Sequence, residues 1–257
     1  MYTLKGGLMN KVVRELIIAV LAFVLAAACA AIAVRVYARS QPGAAPAARV
    51  ECTPVHYGTA YLTMDIRLPR VSGLTDPVLE RALNNEIYHQ IKTAARDADT
   101  QARLFYEEMS AAGFEPWLHV FWAAYDVKSD RGILSLTVTT YLENGGTGMP
   151  HTAVYNVDIA QSKRLRLCDL FLDDAGWEAP IDAVIEGAMR RDPGRYFAPY
   201  DFPGVNADTK FFVKDGTLYM LFAKYELMSG MSGEPEYAID TKLIRPVLKP
   251  EYRHMFW

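Results

Sequence analysis

A long helix begins in the stretch Asp76-Pro77-Val78-Leu79-Glu80-Arg81-Ala82-Leu83, and this helix decides the fold class. Asp76 is a residue type favoured at a helix N-cap, and Pro77 suits the first helical position, where no backbone N–H is needed. Aliphatic residues then recur every four positions, which gives the helix one apolar face, at Leu79, Leu83, Ile87 and Ile91. The pattern predicts a helix that continues to Gly113.

The rest of the chain after residue 50 reads mainly as β-strands and one more helix. Residues 55–68 alternate and are rich in β-formers, which predicts one strand that Pro69 ends. A shorter amphipathic helix is expected at residues 177–191. The other predicted strands are 117–127 with 133–142, 154–159 with 164–167, 211–213 with 218–222, and 237–239. Because helices and hairpins are segregated, we expect an α+β fold with a mainly antiparallel sheet.

One N-terminal transmembrane helix is expected to precede this fold. Residues 16–34 contain no charge and no proline, and 19 residues are enough to cross a hydrocarbon core of about 30 Å as a helix. A basic segment precedes the apolar run and small residues end it, which is the order of an export signal. We therefore expect a single-pass protein whose C-terminal domain lies outside the cytoplasm. Cleavage near Ala33 or Ala38 would instead give a secreted protein.

The sequence predicts three segments before the folded region. These are a short cytoplasmic tail (1–15), an anchor (16–36) and a flexible tether (37–50), and the residues that remain are enough for one large domain or two small ones. Four of the 27 basic residues and one of the 30 acidic residues precede residue 37, which leaves a net charge of −6 after it. This balance argues against nucleic acid or an anionic lipid surface as the ligand.

No catalytic motif is present in the sequence. There is no nucleophile elbow, no His-Glu-x-x-His pair and no phosphate-binding loop, and the five histidines lack metal-ligand spacing. We therefore predict no catalytic residue, no metal site and no cofactor, and do not expect an enzyme. The abundant carboxylates leave an envelope glycan hydrolase open as an alternative, because that reaction needs two carboxylates facing one bond.

Two loops are the candidate binding sites, because loops on a rigid sheet often carry recognition. The candidate residues are Asn144, Gly145, Gly146, Met149, His151 and Thr152 in the first loop, and Met228, Met231 and Glu234 in the second. Two cysteines after the apolar run, Cys52 and Cys168, are a candidate disulfide in an oxidising compartment. Two separate buried thiols are the alternative.

Several stretches, taken in order, resemble the paired extracytoplasmic domains of unknown function found in RsiV-type anti-sigma factors and ahead of the catalytic domain of PdaC-type peptidoglycan deacetylases. These stretches are 68–76, 141–146, 151–152, 155–158, 165–171, 211–216, 218–227 and 236–239. The resemblance implies a bacterial, exported α+β module without catalysis, made of two extracytoplasmic subdomains at residues 51–148 and 149–257. In the RsiV type this module binds lysozyme, and a cytoplasmic N-terminal region holds a sigma factor.

The sequence departs from the RsiV type at its N-terminus. About 15 residues precede the apolar run, too few to build a core that sequesters a sigma factor. We therefore expect a membrane-anchored binding module of the bacterial envelope that lacks the sigma-factor-binding region. Its expected partners are a lysozyme-like protein or peptidoglycan, with the lipid bilayer around residues 16–34 and no nucleic acid. A single-pass signalling subunit that partners another membrane protein is a further alternative.

Overall fold

Helix α1 (Pro77–Ala111) has the extent that the sequence predicts. The side chain of Asp76 accepts a 2.7 Å hydrogen bond from the backbone N–H of Val78, and Pro77 is the first helical residue. The helix buries Leu83, Ile87, Ile91, Ala98 and Ala102. Just after it, Gly113 has a φ of +76°, a conformation that glycine adopts without steric cost.

The computed structural model describes residues 47–146, 148–196, 202–228 and 233–257. The predicted tail and anchor, and most of the predicted tether, lie outside these residues. Within the described ranges, no helix combines the length and apolar character needed to span a bilayer.

A six-stranded sheet forms the larger part of the fold, with its strands in sequence order. Every neighbouring pair is antiparallel except β2 and β3, which α1 connects and which pair in parallel over Leu62–Ile66. The strands are β1 (Arg49–Gly58), β2 (Leu62–Ser72), β3 (His119–Arg131), β4 (Ile133–Glu143), β5 (Gly148–Asp158) and β6 (Lys163–Arg164). The α+β class with a mainly antiparallel sheet is thereby confirmed.

The prediction of a single strand over residues 55–68 is wrong. The chain reverses at residues 59–61, where the Thr59 hydroxyl accepts hydrogen bonds from the backbone N–H groups of Tyr61 and Leu62. Pro69 does not end a strand but lies inside β2, opposite Cys52 of β1. The pairing of β2 with β3 ends at Ile66, so within the described residues Pro69 lies in a part of β2 that has no partner strand on that side, where a missing N–H donor is tolerated.

Two hydrophobic clusters lie on opposite faces of this sheet. The first contains the buried residues of α1 together with Phe121, Leu136, Val138 and Tyr155. The second is formed by the C-terminal elements, which are α2 (Glu178–Arg191), β7 (Phe211–Lys214), β8 (Thr217–Leu221), β9 (Glu236–Ile239) and α3 (Thr241–Ile244). Strands β7, β8 and β9 form a second, antiparallel sheet, and α2 is the shorter helix that the sequence predicts.

A buried polar network joins the two sheets. Ser135 donates to the side-chain oxygen of Asn156 at 2.6 Å, and Asn156 donates to the Phe211 carbonyl at 2.7 Å. The backbone N–H of Val213 donates to the Ser135 hydroxyl at 3.0 Å. Because every partner is satisfied, this network fixes β7 on the face opposite α1. Residues 47–257 form one compact unit, and the predicted subdomain boundary at 148/149 falls at the start of β5.

The candidate disulfide is not formed, and this expectation is corrected. Cys52 and Cys168 are both free thiols. Cys52 is exposed on β1 at the edge of the large sheet, whereas Cys168 lies in the 3-10 turn Leu167–Leu170 and packs against the second cluster. The two residues belong to different parts of the fold, so a bridge of ordinary geometry does not join them.

Candidate binding surface

The glycine-rich loop between β4 and β5 is held in place by an indole ring. A side chain at Gly145 would begin 3.0 Å from the ring of Trp117, and its φ of +79° also favours glycine. The Trp117 ring packs on Phe105 of α1 as well, with ring centroids 4.2 Å apart. The link from α1 to β3 and the β4–β5 loop therefore form one packed end of the sheet.

This end of the sheet exposes large apolar side chains. We call it the tip surface and define it by Phe114, Trp117, Leu118, Met149 and Tyr225, each of which is 45–63% exposed. Exposed large apolar residues that cluster on a folded domain mark interaction sites more often than residues that are exposed singly. The tip surface is therefore the candidate binding surface of this domain.

The two segments predicted as loops contact each other, although residues 148–152 of the first segment lie in strand β5. The Thr152 hydroxyl donates to the carboxylate of Glu234, and it also lies 2.7 Å from the Thr139 hydroxyl. The ammonium group of Lys224 donates to the Gly148 carbonyl at 3.0 Å, which places its neighbour Tyr225 beside the first loop. Strand β5 thus contacts a segment that lies 82 residues further along the chain.

His119 lies behind Trp117 and is almost completely buried. Its ring is 5.1 Å from the Phe105 ring and 6.5 Å from the Trp117 ring, measured between centroids. Among the described residues, the Nδ1 atom of His119 has no hydrogen-bond partner. A buried nitrogen of this kind is costly unless a group reaches it, so the aromatic cluster contains one polar atom without a partner.

Carboxylates surround the tip surface. Glu107 and Glu108 lie in the last turns of α1, Glu115 lies in the link to β3, and Glu143 is the last residue of β4, and all four are exposed. Carboxylates at a helix C-terminus add to the negative end of the helix dipole instead of balancing it. Arg103 pairs with Glu107 at 3.0 Å, and Lys224 supplies a further positive charge. The tip is therefore apolar with an acidic border.

The structure separates the predicted site residues into three groups. Five of them are exposed, namely Asn144, Gly145, Gly146, Met149 and His151. Thr152 is buried, and its hydroxyl donates a hydrogen bond to the carboxylate of Glu234. Met228 is buried in the second cluster, where it is out of reach of a ligand at the surface, so this prediction is corrected. Met231 lies outside the described residues.

The predicted site residues do not include Phe114, Trp117, Leu118 or Tyr225. A signal was available for three of them, because Phe114 stands between the predicted long helix and the predicted strand 117–127, and Trp117 and Leu118 open that strand. Tyr225 carries no comparable signal in the sequence, although its φ of +69° is unusual for a residue with a side chain. In the described part of the chain, no group of three or more His, Cys, Asp or Glu side chains is arranged to hold a metal ion.

Comparison with known proteins relates the C-terminal part of the chain to a named family. Residues 168–242 match the family described as "Protein of unknown function (DUF3298)". No curated protein matches the chain. The predicted resemblance to a domain of unknown function is thus confirmed at this level for residues 168–242.

Two crystal structures of DUF3298 proteins have a similar fold. One, from Bacteroides fragilis, is 16% identical with a TM-score of 0.62, and the other, from Pseudomonas aeruginosa PAO1, is 16% identical with a TM-score of 0.52. Each match covers 81% of this chain and 96% of the other. At this identity the likeness concerns the fold alone.

Proposed function

We propose that this chain is a membrane-anchored binding module of the bacterial envelope, of the RsiV type but without a sigma-factor-binding region, and that its tip surface binds a basic, lysozyme-like protein. The observation that carries the proposal is the tip surface itself. Five large apolar side chains are exposed there on a packed scaffold, with carboxylates at the border. An apolar centre with a polar border is the usual anatomy of a protein–protein interface.

The scaffold under the tip surface supports binding because it is already ordered. Trp117 is packed against Gly145 and Phe105, and Lys224 ties the neighbouring loop to Gly148. Binding therefore costs little extra conformational entropy in these side chains. Trp117 and Tyr225 also belong to the residue types that dominate interface energetics.

The acidic border supports a basic partner. Opposite charges around an apolar centre speed the encounter of two proteins and favour the correct orientation more than they raise affinity. The net charge of −6 after residue 36 acts in the same direction at long range. We therefore expect an association rate that falls with salt and an affinity that persists at physiological salt.

The tip surface lies far from the first described residue. Ala47, the first described residue, bridges to Arg131, and Ala48 donates to Asp130 at 2.8 Å. Strand β3 runs 13 residues from the tip to this point, or about 40 Å. Ala47 therefore lies at the end of β3 opposite the tip surface.

The test is a titration of the full chain in lipid nanodiscs with lysozyme, at low and at physiological salt. We expect one-to-one binding that Phe114→Ser and Met149→Ser each weaken by about tenfold or more. Val78→Ser is the matched control, because Val78 is equally exposed but lies at the start of α1, and it should change the affinity less than twofold. Binding that disappears at physiological salt, or equal effects of all three variants, would contradict the proposal.

Peptidoglycan is the second candidate ligand of the same surface. Tyr225 and Trp117 each present an apolar ring together with a hydrogen-bonding group, a combination that suits a partly polar ligand. Soluble peptidoglycan fragments should replace lysozyme in the same titration. Saturable binding of the fragments, weakened by Phe114→Ser and Met149→Ser but not by Val78→Ser, would assign the tip surface to glycan instead.

A further inference from the structure

A second, separate concavity lies between α1 and the hairpin formed by β1 and β2. It is a groove of about 540 Å³, within the range of small-molecule sites. Its walls are mainly aliphatic and aromatic and include Val55, Tyr57, Ile66, Tyr88, Ile91 and Ala95. The tip surface contributes none of its residues to this groove.

The groove is open because β1 extends beyond the part of the sheet that α1 covers. Strand β1 is exposed along nearly all of its length, and it has no partner on its outer edge in the described structure. Val55, Tyr57 and Tyr88 are each about half exposed around the groove. These side chains thus leave apolar surface in water that an apolar ligand would cover at a gain in free energy.

The shape of the groove fits one extended chain. Its helical wall is a single stripe of α1 from Tyr88 to Thr100, which corresponds to a length of about 18 Å. The Lys92 ammonium group leans towards the Tyr88 end of this wall, where it lies 5.5 Å from the centroid of the Tyr88 ring. A head group held at that end leaves about 12 Å of the wall, from Lys92 to Thr100, for the first part of an acyl chain. A groove bounded by one helix on one side and one hairpin on the other has room for a single chain.

Two positively charged side chains line the groove and favour an anionic ligand. Lys92 and Arg96 are four residues apart on α1, so their side chains are neighbours on the helix surface. Among the described residues, neither forms an ion pair. Asp99, which also lines the groove, is engaged by the Tyr61 hydroxyl at 3.3 Å. A single anionic group placed between Lys92 and Arg96 would therefore be complemented by charge.

We propose that this groove binds a long-chain fatty acid, with the acyl chain along α1 and the carboxylate at Lys92 and Arg96. The chain would cover the exposed parts of Val55, Tyr57 and Tyr88. A carboxylate matches the planar guanidinium of Arg96 particularly well, because both groups are flat and can form two parallel hydrogen bonds. The site is independent of the proposed binding of a protein or glycan at the tip surface.

The experiment uses the full chain in lipid nanodiscs and a diazirine-bearing C16 fatty acid. After irradiation, mass spectrometry maps the cross-linked peptides, and the signal is normalised to labelling elsewhere on the same chain. We expect cross-links in residues 53–68 and 88–100 that unlabelled palmitate removes.

Variants of the cations provide the decisive control. Arg96→Gln and Lys92→Gln should each lower the labelling of the groove about tenfold, because each removes a charge-assisted hydrogen bond. Arg81→Gln is the matched control, since Arg81 is also exposed on α1 but does not line the groove. Labelling confined to other peptides, or equal labelling of all three variants, would overturn the proposal.

Discussion

Replacing Gly145 by alanine tests whether Trp117 holds the tip surface in place. The new Cβ would lie 3.0 Å from Cε2, 3.1 Å from Cζ2 and 3.2 Å from Nε1 of Trp117. The neighbouring Gly146 is a matched control, because its φ of +89° is similar and nothing lies within 4 Å of a Cβ at that position. Both substitutions place a side chain in left-handed backbone, and only one of them meets the indole ring.

The expected costs follow from these two terms. An alanine in left-handed backbone loses roughly 1–2 kcal/mol, so Gly146→Ala should lower the free energy of unfolding by about that amount. Gly145→Ala has the same backbone cost and also crowds the Trp117 ring, which should lower the free energy of unfolding by a further ~1–3 kcal/mol. The ring cannot yield easily, because it also packs on Phe105 at 4.2 Å. The difference between the two variants isolates the packing of Trp117 on the loop.

The assay is urea unfolding of the soluble piece, residues 39–257, followed by a titration with lysozyme. We expect Gly145→Ala to be at least ~1 kcal/mol less stable than Gly146→Ala and to bind more weakly, because displacement of the ring disorders the tip surface. Indole N–H signals in NMR spectra report the displacement directly. Equal stabilities within ~0.5 kcal/mol together with an unchanged indole spectrum would refute the argument that Trp117 positions this loop.

Three further predictions concern the fold around the site. Asn156→Ala should lower the free energy of unfolding in urea by about 2–4 kcal/mol, because it leaves buried partners unpaired. The control Asn85→Ala, at an exposed position, should change this free energy by almost nothing. Similar losses in the two variants would contradict the role of the network. Burial raises the pKa of the Asp182 carboxyl group. Wild type should therefore gain thermal stability relative to Asp182→Asn as the pH falls from 7 towards about 4. Melting temperatures that change equally with pH in the two proteins would contradict this. In the non-reduced soluble piece a thiol reagent should modify Cys52 rapidly and Cys168 slowly, and the absence of both thiols would contradict the structure.

The parts of the fold that are fixed by neighbouring residues could be predicted from the sequence. The N-cap at Asp76 and the four-residue spacing locate α1, and the turn at Asp215 and Gly216 locates the hairpin of β7 and β8. The break between β1 and β2 could not be predicted, because the turn depends on the Thr59 side chain and interrupts a pattern that continues to alternate. The parallel pairing of β2 with β3 joins residues more than 50 positions apart, and no local signal specifies it.

Part of the candidate site could likewise be predicted from the sequence, and part of it could not. The glycines at 144–148 indicate a loop without any knowledge of the fold, and Gly145 is indeed required by its backbone and by Trp117. The hydrogen bond between Thr152 and Glu234 depends on the packing of the second sheet on the first, which the sequence does not reveal. The sequence assigns Met228 to a candidate binding loop because loops on a rigid sheet often carry recognition, but Met228 bridges to Tyr196 and its side chain joins the core.

Helix α1 contributes to both proposed sites, and this shared element offers a way to separate them. Arg96 lines the groove, whereas Phe105, nine residues or about 14 Å further along the helix, supports Trp117 at the tip. Sites more than about 10 Å apart without shared partners are expected to respond independently. Arg96→Gln should therefore reduce fatty-acid labelling and leave lysozyme binding unchanged, and Gly145→Ala should do the reverse. Loss of both activities in either variant would indicate a change in α1 itself, and circular dichroism of the same samples would detect it.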